Sequence, residues 1–115
     1  MPISPFETLN IIEALENFLD KKRPPEVLRS KLDLNYEIYG QSVVIFEIRP
    51  QWDDRNKIMH IPIAKTTYVA RTNTWKVFWM KSDQKWHSYK AVPVVQTIRD
   101  FVKLVEKDEH YCFFG

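Results

Sequence analysis

Two glycines and one cysteine in 115 residues set the first limits on this chain. With only Gly40 and Gly115 to draw on, a glycine-rich loop that cradles phosphate on its backbone N–H groups cannot be built in its usual form. The lone thiol, Cys112, cannot close an internal disulfide, and no charged segment leads into an apolar stretch as a signal peptide would require. Both absences point to a reducing cytosol. The longest apolar run, VVIFEI, already contains Glu47, and it is far shorter than the roughly 20 residues that a membrane-spanning helix needs. Strong charge is lacking as well. A net charge of +2 permits a polyanionic partner but falls short of a strongly basic nucleic-acid footprint.

The hydrophobic fraction of 44% and charged fraction of 28% are those of an ordinary folded protein, which argues against disorder. The length suits one domain over residues 1–115 with a single core. Aromatic residues make up 14%, and with so few glycines this favours strands over flexible loops. Three of the four tryptophans fall in the segment from Thr74 to Lys90, TWKVFWMKSDQKWHSYK, which reads as two antiparallel strands around a polar turn. A Trp buries roughly 200 Å² of surface, so this segment should organise the packing, with Trp79 at its buried centre.

Around it the chain alternates clearly between helical and extended patterns. Ser4, Pro5 and Glu7 make a capping box, and Phe6, Leu9, Ile12, Leu15, Phe18 and Leu19 recur at helical spacing behind it. Pro24-Pro25 stop that helix, and a short second one is expected from Glu26 to Lys31 or Leu32. Period-two alternation then predicts strands from Leu32 to Tyr39, Ser42 to Arg49 and Ile58 to Arg71, the first two joined at Gly40-Gln41. After the tryptophan strands, Val95, Ile98, Phe101, Val102 and Val105 define a last helix ending near Asp108. The expected fold is α+β: an antiparallel meander of about five strands, with N-terminal helices and one C-terminal helix. The apolar end, with Phe113 and Phe114, should pack back on the domain or on a second copy of it.

The set Arg49-Pro50-x-Trp52, Trp75-x-x-x-Trp79, Trp86-His87-x-Tyr89 and Phe113-Phe114-Gly115 resembles a family of small bacterial proteins catalogued as a domain of unknown function. That family ends more typically in Phe-Trp-Gly, so Phe114 is a departure, aromatic for aromatic. The resemblance spans roughly the C-terminal two-thirds of the chain. It implies a bacterial source and no assigned activity, and it brings no catalytic residues with it.

Function therefore has to be read from surfaces. Alternation puts Trp75, Val77 and Trp79 on one side of their strand and Phe78 and Met80 on the other, so both sheet faces look apolar. Either the two helices cover one face each, or both stack on the same face and leave an aromatic patch for a partner. Arg49, Trp52, Arg71, Lys81, Lys85, Trp86, His87 and Tyr89 mix cations with aromatics, as sheets that bind single-stranded nucleic acid do. A sheet edge guarded by lysines has the same composition. The leading expectation is a non-enzymatic binding module whose partner is a protein, a second copy or single-stranded nucleic acid, with no cofactor, no metal and no membrane. The alternative is a small metal-independent nuclease or other hydrolase, with Arg49, Arg71, His87 and Tyr89 around a phosphate. Asp53, Asp54 and Glu47 near His60 are the candidate carboxylates for other acid-base work, and His110-x-Cys112 is the only local pair of soft metal ligands.

Overall fold

The structure, a computed structural model, describes residues 3–114. Gly115 of the C-terminal aromatic motif lies outside the described residues. Helix α1 runs over Pro5–Lys22, β1 over Asp33–Tyr39, β2 over Ser42–Pro50, β3 over Ile58–Val69 and β4 over Thr74–Met80. Two short strands, β5 (Trp86–Ser88) and β6 (Val94–Val95), precede helix α2 (Ile98–Lys107). The fold is α+β, with β1 to β5 in meander order and every pairing antiparallel. No helix among the described residues is long and apolar enough to cross a membrane.

Local chemistry sets the ends of the helices. Ser4 Oγ accepts the Glu7 N–H at 3.1 Å, Pro5 opens α1 without wasting a donor, and Lys21 and Lys22 face the negative end of the helix dipole. Beyond the prolines the expected second helix is a single 3₁₀ turn, Glu26–Leu28. Val27 and Leu28 are exposed, so this segment buries no apolar stripe that would support a longer helix. At the other end, Val95 departs from the expected helix and pairs with Trp75 as part of β6. Thr97 then caps α2 by accepting the Asp100 N–H at 3.1 Å.

Strands β5 and β6 share the same edge of β4. The Val77 N–H donates to the Pro93 carbonyl and the Val77 carbonyl accepts from Tyr89, both at 2.9 Å, so the segment between them continues the ladder. Alternation and register assign the two faces. One carries Leu34, Tyr36, Val43, Ile45, Ala64, Thr66, Trp75 and Val77, and there α1 and α2 pack together over a common core. Thr66 is buried in it without penalty because its hydroxyl donates to the Lys76 carbonyl at 2.8 Å. Both helices thus stack on the same face, and the one-helix-per-face arrangement is excluded. Trp75, 1% exposed, is the buried tryptophan of β4, whereas Trp79 is only half-buried because it lies opposite the three-residue β5 near the sheet edge.

The α1 stripe is shifted from its expected place. Ile11, Ala14, Leu15, Phe18 and Leu19 are buried, while Phe6, Leu9 and Ile12 are exposed. At 1.5 Å per residue α1 is about 27 Å long and α2 about 15 Å, so α2 cannot cover the whole of it, and the exposure of Phe6 and Leu9 puts the uncovered part at its first turns. The tail follows the expectation only in part. Phe113 is 4% exposed, but Phe114 is 40% exposed.

Candidate functional site

The eight residues singled out in the sequence do not form one surface. Arg49 is exposed at the end of β2 and pairs with Glu47 at 2.9 Å. Trp52 is 91% exposed on the loop after β2, where Ser30, Lys31 and Arg55 are its neighbours. Arg71 sits in the turn between β3 and β4. The run from Trp86 to Tyr89 is divided by its own alternation: Trp86 pairs with Met80 on the face away from the helices, and His87 pairs with Trp79 on the helix side. Tyr89 is 3% exposed, and its ring meets Phe113 at 5.0 Å. It is a core residue and not a stacking platform.

The face away from the helices is the first candidate site. Register places Val44, Phe46 and Ile48 of β2 there, with His60, Pro62, Lys65 and Thr67 of β3, Lys76, Phe78 and Met80 of β4, and Trp86 and Ser88 of β5. His60 stacks on Phe46 with centroids 5.0 Å apart and planes 13° from parallel. The Lys65 ammonium lies 5.4 Å from the Phe78 ring centre and 5.7 Å from that of Trp86, within cation–π range of both. β2 to β5 contribute no Asp or Glu to this face, and β1 adds Glu37 and the Arg23-bound Asp33 at its edge. Lys65 and the Phe46–His60 stack escaped the sequence reading. The alternation of Lys65 with Ala64 and Thr66 carries the cue, but the register against Phe78 does not exist until the strands pair.

A cleft of about 300 Å³ on the helix side is the second. Trp79, Lys81, His87, Ser88, Tyr89, Lys90, Ala91, His110 and Cys112 line it. The Lys81 ammonium rests 5.3 Å from the Trp79 ring centre. The Asp83 carboxylate accepts from His87 Nε2 at 2.8 Å, which fixes that ring and, with the Lys85 N–H, holds the carboxyl below its usual range. Burial, with nearby Cys112 and Asp108 adding to it, pushes the Tyr89 hydroxyl up. Burial, then Asp108, likewise raises the Cys112 thiol. A thiol so placed stays protonated at neutral pH and is a poor nucleophile.

The tail wall of this cleft is held by one side chain. Asp108 takes a left-handed conformation at the end of α2, and its two carboxylate oxygens accept the N–H groups of Phe113 and Phe114 at 2.9 and 2.8 Å. The chain between them loops back past Tyr89. His110 and Cys112, considered from sequence only as metal ligands, reach the cleft this way, and nothing local in the sequence announces it. Among the described residues no three His, Cys, Asp or Glu side chains group as metal ligands.

The family model described as a domain of unknown function, DUF3024, matches residues 3–115. The chain belongs to this family. No curated protein and no solved structure matches it. This DUF3024 chain must therefore be interpreted from its own residues. The carboxylates weighed for hydrolysis do not converge: Glu47 is engaged by Arg49, Asp54 caps the Asn56 N–H at 3.1 Å, and His60 is stacked on Phe46. Arg49 and Arg71 lie outside the cleft that holds His87, so the four residues of the nuclease reading do not surround one phosphate.

Proposed function

We propose that this protein is a non-enzymatic binding module that takes single-stranded nucleic acid on the face of its sheet away from the helices. The observation that carries the reading is the pairing of half-buried rings, Phe78 and Trp86, with a lysine between them, on a face to which β2 to β5 contribute no carboxylate. Bases stack on rings without regard to sequence, and phosphates need cations within reach. Lys65 and Lys76 lie on the face, with Lys85 and Arg71 in the turns at its rim. Four such contacts imply a log-log salt slope of about −3, at about −0.7 per phosphate.

Fluorescence anisotropy with a labelled single-stranded oligonucleotide of about 15 nucleotides tests this. Phe78→Ala and Trp86→Ala should each weaken binding at every salt concentration, by the roughly 1–3 kcal/mol that one stacked base contributes. Lys65→Ala should flatten the salt slope by about 0.7. Absence of binding at low salt and tens of micromolar protein would eliminate nucleic acid and leave a protein as the better partner for this face.

A further inference from the structure

We propose that the cleft between β5 and the C-terminal tail is a second, separate binding site, and that its ligand is a small phosphate monoester. At about 300 Å³ it is at the lower end of the volumes that hold small organic ligands. Lys81 and Lys90 both line it, no Asp or Glu does, and among the described residues neither lysine has a carboxylate within ion-pair distance. Two lysines lining one cleft offer a dianion two cationic partners. The Lys81 ammonium rests over the Trp79 ring, with the Asp83 carboxylate in its neighbourhood but not paired with it.

The other lining groups suit the same ligand. The His110 ring can donate to a phosphate oxygen, and Trp79 and Ala91 offer an apolar floor for a short carbon body. Of the nearby carboxylates, Asp83 is bonded to His87 and the Lys85 N–H and Asp108 to the tail N–H groups, while Glu109 lies close enough to act on Tyr89. Cys112 and Tyr89, both held protonated, add no opposing charge.

The site uses none of the rings and lysines assigned to nucleic acid, so the two readings fail independently. The test is a ¹⁵N–¹H NMR titration of the full chain with ribose 5-phosphate, which has no base to stack on the sheet. Amide shifts should cluster at Lys81, His87, Ser88, Lys90, Ala91 and His110 and saturate at about millimolar ligand. Ribose alone should produce none, and inorganic phosphate should bind more weakly for want of the carbon body. Lys81→Ala with Lys90→Ala should lower affinity at least about tenfold, each lost contact being a charge-assisted one. The single variant Lys90→Gln, at an exposed position, should weaken binding in the same sense, and each variant's own spectrum reports its folding. Phe78→Ala should leave the titration unchanged. Shifts that map instead to Lys65, Thr67 and Phe78, parent-like affinity in the folded double variant, equal affinity for inorganic phosphate, or no saturation at about 10 mM ligand would each overturn the assignment.

Discussion

Trp75 and Trp79 are four residues apart on one strand, point to the same side, and have different energetic roles. Trp75 lies between Tyr68 and Val95 with helices above it, its ring 5.1 Å from that of Tyr68. Trp79 faces a cleft under the Lys81 ammonium. Trp75→Ala should cost roughly 3–5 kcal/mol and Trp79→Ala less than half of that. Urea denaturation of the two variants checks it, and equal losses would contradict the burial difference. Gly40 is the other residue whose identity is dictated locally. Its φ of +58° lies in the left-handed region at the two-residue turn joining β1 to β2, and nothing lies within 4 Å of where a Cβ would sit. Gly40→Ala should therefore cost about 1 kcal/mol from backbone strain alone, and Gly40→Asn less. An alanine variant as stable as the parent would show that the turn relaxes.

Among the elements, α1 shows how a correct pattern can yield a misplaced stripe. Helical spacing fits Phe6, Leu9, Ile12 and Leu15 as well as it fits Ile11, Leu15, Phe18 and Leu19, and the choice between them is made by where α2 lies. Leu15→Ala should cost roughly 2–5 kcal/mol, while Phe6→Ser should stay within about 0.5 kcal/mol of the parent. Thermal melts of the pair decide this, since comparable losses would mean that Phe6 is covered in solution. The last strand and helix repeat the lesson. Val95 keeps the helical phase of Ile98 and Val102, yet pairing with Trp75 extends its backbone and leaves Thr97 to start the helix.

In the whole molecule, the end of α1 is tied to the start of the sheet by an ion pair that brings in pH. Arg23 meets Asp33 through two bonds of 2.6 and 2.7 Å. This pairing, opposed by partial burial and helped by the Leu34 N–H, holds the Asp33 carboxyl below its ordinary range. A carboxylate depressed in the folded state contributes stability above its unfolded pKa and loses it as pH falls through the folded one. Asp33→Asn should therefore lower the melting temperature at pH 7, with the difference from the parent shrinking as pH falls below about 4, the ordinary carboxylate value, and through the lower folded one. The partner is largely solvated, so the effect should be modest and smaller in high salt. A difference that is constant across this range would remove the pair from the account.

Local pattern in the sequence was enough for the two main helices, the meander of β1 to β5, the turn at Gly40, the α1 cap and the parity of β2, β4 and β5, because each depends on residues a few positions apart; β6 and the register shift between β2 and β3 were not legible in it. The division of Trp86 from His87 was legible in that parity too. What tertiary structure alone decided was which apolar side of α1 is inside, that both helices share one face, and that the other face stays free of helices. It also brought His110 and Cys112 to Lys81 and His87, across more than twenty residues of chain, through the hold of Asp108 on the tail. Burial and convergence are properties of neighbours distant in sequence, and spacing along one strand or helix carries no information about which neighbours will arrive.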